Sequence, residues 1–345
     1  MLIQNLPPNK LDIVGDVHGQ FEAFQNLLHY LEYHPDGKHP QGRKLVFVGD
    51  LVDRGPDSPA MLDWFANAQK HYGAMMVLGN HELNILNKEA KDGTGWFFHH
   101  RACKDEHNYA PWQLAKEYDK QRYLQLLNQQ PIVLQRDDLR IVHAAWLPEQ
   151  IAKLDEHNQC NVAELYQEWD EELACCIKHA PWYDDYLAEQ RLYAHALENP
   201  AQMLPELPAT ITHDIYRSQK HPIRALTCGV EEYTSTPFFS GGRWRFTVRQ
   251  SWWKHYHDKE HVIIGHYWRQ WEGVPPKHRA DLFDVPPHHW HGARKNVFCV
   301  DFSVGARWRD RKRNICPNDS EYRLAALRWP EKILMFDNGD EKHTV

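Results

Sequence analysis

The stretch VFVGDLVDRGPDS, residues 46–58, runs from apolar residues into Gly49 and then places Asp50, Asp53 and Arg54 within five positions. A short apolar run bounded by glycine reads as a buried strand, and packing two carboxylates and a guanidinium at its end does nothing for stability. The charge therefore predicts work at the carboxyl end of that strand. Two neighbouring stretches share the pattern, LDIVGDVHG at 11–19 and AMMVLGNHE at 74–82. Between them, FEAFQNLLHYLEY and PAMLDWFANAQKHY repeat apolar residues at helical spacing. Alternation of strand and helix predicts an α/β fold, a parallel or mixed sheet covered by helices, with ligands in the crevice beyond the strand ends.

Further along, residues 84–130 are mostly polar and helical, and PIVLQRDDLRIVHAAW reads as a strand hairpin around Asp137 and Asp138. Residues 148–210 carry helical periodicity and are expected to form a helical cap inserted into a single catalytic domain spanning 1–345. More strands are expected at RIVHA, HVIIGH, NVFCVDFS, YRLAALRW and KILMFD. No repeat of solenoid length and no low-complexity segment interrupts the pattern.

Composition narrows the function classes. With 345 residues, 42% hydrophobic and 25% charged, the chain has ordinary globular content. A formal net charge of −7 provides no long-range field for nucleic acid, so extended nucleic-acid binding is not expected. Seven cysteines without paired CxxC spacing exclude a zinc ribbon or disulfide framework and point to a reducing cytoplasm. The adjacent Cys175 and Cys176 read as packing residues of a helix. No secretory pattern opens the chain, and no run of about 18 apolar residues suits a membrane, so no membrane partner is expected. The basic run RWRDRKR at 307–313 reads as a solvated loop.

The chemistry-bearing residues fall at strand ends. Asp16 and His18 share a face if their segment is extended. Asp50 and Asn80 end the next two apolar runs, and His143 and His266 end two more. Six nitrogen and oxygen donors without a thiolate make a mixed site that suits manganese, iron or zinc. Any one of the 24 histidines is unremarkable alone. It is the succession of polar groups, each costly beside a core, that singles out these six.

Taken together, GDVHG (15–19), GDLVDRG (49–55), GNHE (79–82), the histidine of IVHAA and the GH of Gly265 and His266 resemble the calcineurin-like metallophosphoesterase superfamily. The DRG and GNHE forms resemble its phosphoprotein phosphatase branch, including bacterial serine/threonine phosphatases. The resemblance implies a four-layer sandwich, two mixed β-sheets flanked by helices, with two divalent metal ions at one edge. Manganese is favoured, with iron, zinc, nickel or magnesium as alternatives. By motif position, Asp16 and His18 would bind the first metal, Asp50 would bridge, and Asn80, His143 and His266 would bind the second. The implied reaction is hydrolysis of a phosphate monoester by a hydroxide held between the ions. His81 would be the general acid, Asp53 would orient it, and Arg54 would grip phosphate oxygens. Asp301, in FCVDFSVG, is either a neighbour of the metals or a turn residue.

Around the motif, HPQGRKLVFVGDLVDRGPDS resembles the phosphatase module of bacterial polynucleotide kinase-phosphatase and the asymmetrical diadenosine tetraphosphatases. The symmetrical tetraphosphatases fit less well, because their loop usually lacks the aspartate found here at Asp53. A nucleotide, an RNA end or a phosphoprotein is the expected phosphorylated partner. TPFFSGGRWRFTVRQSWWKHY is a candidate platform for bases and phosphates, with Arg243 and Arg245 as candidate substrate contacts. A dinucleotide hydrolase or phosphodiesterase is the alternative enzyme, and a metal-binding adaptor without turnover is the alternative outside enzymes.

Overall fold

The computed structural model describes residues 1–271 and 282–345. Residues 272–281, which the expected 1–345 domain includes, lie outside the described residues. Thirteen strands are described: β1 (Ile3–Asn5), β2 (Leu11–Val14), β3 (Lys44–Phe47), β4 (Met75–Met76), β5 (Val133–Arg136), β6 (Leu139–Val142), β7 (Glu231–Ser240), β8 (Arg243–Arg249), β9 (His261–Ile264), β10 (Val297–Cys299), β11 (Ala325–Trp329), β12 (Ile333–Phe336) and β13 (Glu341–His343). One sheet has the order β13-β12-β11-β2-β3-β4 and a second the order β1-β5-β6-β9-β10, while β7 and β8 form a separate hairpin. Both large sheets are mixed. β2, β3 and β4 are mutually parallel, with β11 antiparallel beside β2. In the second sheet β6, β9 and β10 run parallel, and β5 pairs antiparallel with β6 across the predicted hairpin.

The strand period of two sorts the side chains into layers. Ile13, Val46, Val48, Ile141, Ile263, Phe298 and Leu327, drawn from both sheets, form one apolar cluster between them. Their strand neighbours Val14, Leu45, Phe47, Val142, Val262, Ile264 and Cys299 point outward into a second cluster that includes the helices. On one side these are α1 (Phe21–Tyr30) and α2 (Ser58–Tyr72), whose Phe24, Leu27, Met61, Leu62 and Phe65 are sealed from solvent. The result is the expected helix–sheet–sheet–helix sandwich. α2 starts with Asp57, whose side chain accepts the Ala60 N–H, and stops at Gly73 in the left-handed region at φ 70°, so both ends are capped.

Residues 148–210 are largely helical, and helix continues through Pro208–Lys220 and Pro222–Cys228. The first part packs into the main body, where Leu154, Leu165, Tyr166 and Trp169 join the large cluster. Ala196, Leu197, Leu204, Leu207 and Ile211 form a separate small cluster with Phe246 of β8. The hairpin thus lies over the later helices rather than joining either large sheet.

Candidate active site

Parallel strands deliver their carboxyl ends to one edge, and the candidate residues follow there. Asp16 lies two residues past β2, Asp50 three past β3, His143 one past β6, His266 two past β9 and Asp301 two past β10. Asn80 and His81 occupy the first turn of α3 (Asn80–Leu86) rather than a loop. Both sheets therefore contribute to one cluster.

The approach is close enough to dictate residue size. A Cβ on Gly79 would sit 2.1 Å from Asp50 Oδ1, and one on Gly265 would sit 2.1 Å from Asp16 Oδ1, so the glycines of GNHE and GH are steric requirements. Several functional residues are themselves in the left-handed region: His18 (φ 48°), Asp50 (51°), Asp53 (75°), Arg54 (65°) and His266 (71°). Such conformations cost about 1–3 kcal/mol each and persist where surrounding structure holds them. Here Glu82 is one such support. Fully buried, it accepts the N–H groups of Asp50 (2.9 Å), Leu51 (2.7 Å) and Gly79 (2.9 Å), fixing the Asp50 turn and the start of α3 together.

Asp50 is the centre. Its Oδ2 lies 3.3 Å from His143 Nε2, 3.8 Å from His18 Nε2 and 4.0 Å from His81 Nε2. Two groups able to hold a metal ion overlap on it, one formed with His18 and His81, the other with His143 and His266. The imidazoles are aimed by backbone carbonyls: His18 Nδ1 pairs with Val52 O at 3.0 Å and His143 Nδ1 with Val48 O at 2.7 Å, which leaves each Nε2 facing inward. His143 Nε2 is buried and has no hydrogen-bond partner. His266 Nδ1 is 2.9 Å from Asn80 Oδ1, and its backbone N–H donates to Asp16 Oδ2 at 3.1 Å. An orphaned imidazole nitrogen among carboxylates is what a cation would satisfy, so the donors fit divalent metal.

Electrostatics describe the same need. Burial would raise the Asp50 carboxyl, but His143, His81 and His18 outweigh it and hold it well below the usual range. His143 responds in kind: burial opposes its charge, Asp50 wins, and it is pushed up to about 10. Asp16 is raised by burial and then by Asp301, a repulsion that positive charge between them would relieve. Burial, then Asp50, pushes Glu82 up to about 7. Burial holds His18 and His266 down, assisted by Arg54 for the first and His143 for the second.

Beside this cluster His81 Nδ1 donates to Asp53 Oδ2 at 2.5 Å, and the other carboxylate oxygen accepts Trp96 Nε1–H at 2.5 Å. Arg54 Nη1 is 3.3 Å from His18 Nε2, and its guanidinium lies 4.7 Å from the centre of the Trp268 ring. The Arg54 carbonyl accepts Arg311 Nη2 at 3.1 Å, from the helix Arg307–Arg313. The run read as a solvated loop is thus a helix. Its Arg307 and Asp310 are buried, bound to Asp337 and Ser320 respectively, while Arg311 is half-buried and Arg309, Lys312 and Arg313 remain exposed. Asp301 is an acceptor at a turn that also faces the cluster. It accepts Trp268 N–H at 2.7 Å and Ser303 N–H at 2.8 Å, and it acts electrostatically on Asp16.

Asp16, His18, Asp50, Asp53, Arg54, Asn80, His81, His143 and His266 are therefore brought together. Arg243 and Arg245 stand apart on β8, where Arg243 donates to Gln190 and Arg245 is solvent-exposed. In the aromatic stretch around them, Trp252 and Trp253 are core residues and Trp244 donates to Asn199 O. Arg249, at the base of the hairpin and paired with Glu231, is the arginine there whose charge reaches His266. Sequence patterning missed Trp96, Glu82, Arg249 and Trp268. Only Glu82, three residues past Gly79 at a helix start, carried a readable signal.

A family model described as calcineurin-like phosphoesterase matches residues 10–208. The chain belongs to that family. As a calcineurin-like phosphoesterase it is a hydrolase of a family that uses divalent metals, and Asp50 with its histidines could hold them. The asymmetrical bis(5'-nucleosyl)-tetraphosphatase of Anoxybacillus flavithermus is 34% identical over 155 residues, covering 41% of this chain and 60% of that protein. The symmetrical bis(5'-nucleosyl)-tetraphosphatase of Chromobacterium violaceum is 36% identical over 136 residues, covering 39% of this chain and 43% of that protein. The matches thus span about half the length of these relatives. A solved cold-active protein-tyrosine phosphatase from a psychrophilic Shewanella aligns over 99% of this chain and 82% of its own, at 13% identity and a TM-score of 0.44. No helix among the described residues is long and apolar enough to cross a membrane.

Proposed function

We propose that this calcineurin-like phosphoesterase hydrolyses phosphate linkages of nucleotides, with dinucleoside polyphosphates as the leading substrate class and simple phosphate monoesters as the second reading. The observation that carries the reaction is Asp50 Oδ2 within 3.3–4.0 Å of three imidazole nitrogens, beside the His81–Asp53 pair. The substrate class is supported by relatives named as bis(5'-nucleosyl)-tetraphosphatases, both asymmetrical and symmetrical.

Asp16 and His18 would hold one ion, Asn80, His143 and His266 the other, and Asp50 would be shared. Bound there, two divalent cations would supply charge neutralisation for phosphate oxygens and acidify a water molecule. The protein's own residues do the rest. Arg54 presents a fork to phosphate oxygens, its backbone held by Arg311. His81, with its Nδ1 proton committed to Asp53, offers Nε2 to the departing oxygen as general acid. Asp53 stabilises the charged imidazole and fixes its rotamer, while Trp96 fixes Asp53.

The test is turnover of diadenosine tetraphosphate, p-nitrophenyl phosphate and bis(p-nitrophenyl) phosphate by metal-stripped protein, with manganese, magnesium, zinc or no added ion. The expected result is metal-dependent cleavage with the highest kcat/KM for the dinucleotide. Preference for p-nitrophenyl phosphate would establish the monoester reading instead. Absence of turnover in folded, metal-loaded protein would favour an adaptor.

A further inference from the structure

Trp268 lies two residues past His266, and its ring does not join the core. One side of it meets the Arg54 guanidinium, 4.7 Å from the ring centre, and the His18 ring lies 6.2 Å away. Its backbone is in the left-handed region at φ 54°, which a bulky residue adopts at a cost, and its N–H is tied to buried Asp301 at 2.7 Å. Strain of that kind needs a reason. The side chain is half-buried, and its indole N–H has no hydrogen-bond partner among the described residues, nor is it sealed from solvent. Trp96 and Trp252 nearby donate to Asp53 and to Ala144 O, and Trp253, whose indole nitrogen has no partner, is sealed in the core, whereas the Trp268 ring is not.

Positioning Arg54 does not by itself account for the ring. The Arg54 side chain also meets His18, its N–H donates to Gly93 O and its carbonyl accepts from Arg311. What the indole adds is a flat apolar surface with a free donor, next to the group that would grip phosphate. That pairing matches a nucleotide, whose base has a π-face and ring acceptors. Resting on the nucleotide reading above, we infer that Trp268 is the specificity-determining residue that receives a nucleobase of the substrate and separates nucleotides from ring-free phosphoesters.

The experiment compares kcat/KM for diadenosine tetraphosphate and β-glycerophosphate in manganese-loaded wild type, Trp268→Ala and Trp268→Phe, with melting curves to confirm folding. Stacking of one base corresponds to about 5- to 150-fold in affinity. Trp268→Ala should lose about that factor more for the dinucleotide than for β-glycerophosphate, and Trp268→Phe should recover most of the difference. Equal losses on both substrates would show that the ring serves Arg54 alone and would overturn the inference. No loss on either would overturn it too. If wild type itself does not prefer the dinucleotide over β-glycerophosphate, the nucleotide reading fails first and the inference falls with it. A Trp268→Ala protein that does not fold leaves the decision to Trp268→Phe, which must keep the wild-type ratio of the two substrates within a few-fold.

Discussion

Replacing Asp53 by asparagine changes one atom and tests whether the His81 pair is an acid catalyst. Asp53 is fully buried, and both of its oxygens accept hydrogen bonds at 2.5 Å, from His81 Nδ1 and Trp96 Nε1. Asparagine has one acceptor, so its amino group must face either the Trp96 donor or His81. Leaving one buried donor unmet costs about 1–3 kcal/mol of stability. If the amide oxygen stays with Trp96, His81 must accept through Nδ1, which prevents the doubly protonated form that gives up a proton from Nε2. General acid catalysis is worth roughly 10²–10⁴ in rate. The loss should depend on the leaving group. β-Glycerophosphate departs as an alkoxide that needs a proton, whereas p-nitrophenolate is stable as an anion. Asp53→Asn should therefore lower kcat for β-glycerophosphate by about 10²–10⁴ and for p-nitrophenyl phosphate by about tenfold or less. Equal losses on both, at unchanged metal content, would refute His81 as the acid.

Three further outcomes follow from other contacts. Glu82→Gln weakens a carboxylate that accepts three buried N–H groups at the Asp50 turn, so stability should drop by about 2–4 kcal/mol in denaturant titration, with weaker metal retention. Arg311→Ala frees the Arg54 carbonyl, so KM for phosphorylated substrates should rise several-fold with kcat changed less, measured by steady-state kinetics. His221 is buried, accepts the Arg224 N–H through Nδ1 and faces Tyr166 O through Nε2; burial, then Arg224, holds it down to about 4. A depressed pKa means that the fold needs the neutral ring. Its contribution is complete above pH 6.5 and is lost as pH falls toward 4, by about 3 kcal/mol over that window. Unfolding titrations from pH 7.5 to 4 should show this extra loss in wild type and not in His221→Asn.

The strand-end rule made most of the candidate active site legible. Short apolar runs ending in Asp16, Asp50, His143 and His266 could be read one strand at a time, because each strand end lies next to its own apolar run in sequence. What could not be read were contacts between distant segments. Trp96 reaches Asp53 across 43 positions, from within the 84–130 segment that reads as mostly polar and helical. Arg311 sat in a run of charges that composition assigns to solvent, yet packing turned that run into a helix against the Arg54 loop. The arginines and tryptophans before His266 had suitable chemistry for a substrate platform. Chemistry alone does not say where a hairpin lies, and β7–β8 carries Arg243 and Trp244 to the helices at 190–199.

Sharing of Asp50 by two metal ions is the proposed basis of turnover. It is tested most directly by metal-stripping the protein, titrating manganese by calorimetry alongside diadenosine tetraphosphate hydrolysis, and repeating both with Asp50→Asn. The expected result is two ions per chain, activity that returns as the second site fills, and a variant that loses both the second ion and turnover. Full activity in stripped protein, or an Asp50→Asn variant that binds two ions and turns over normally, would contradict it.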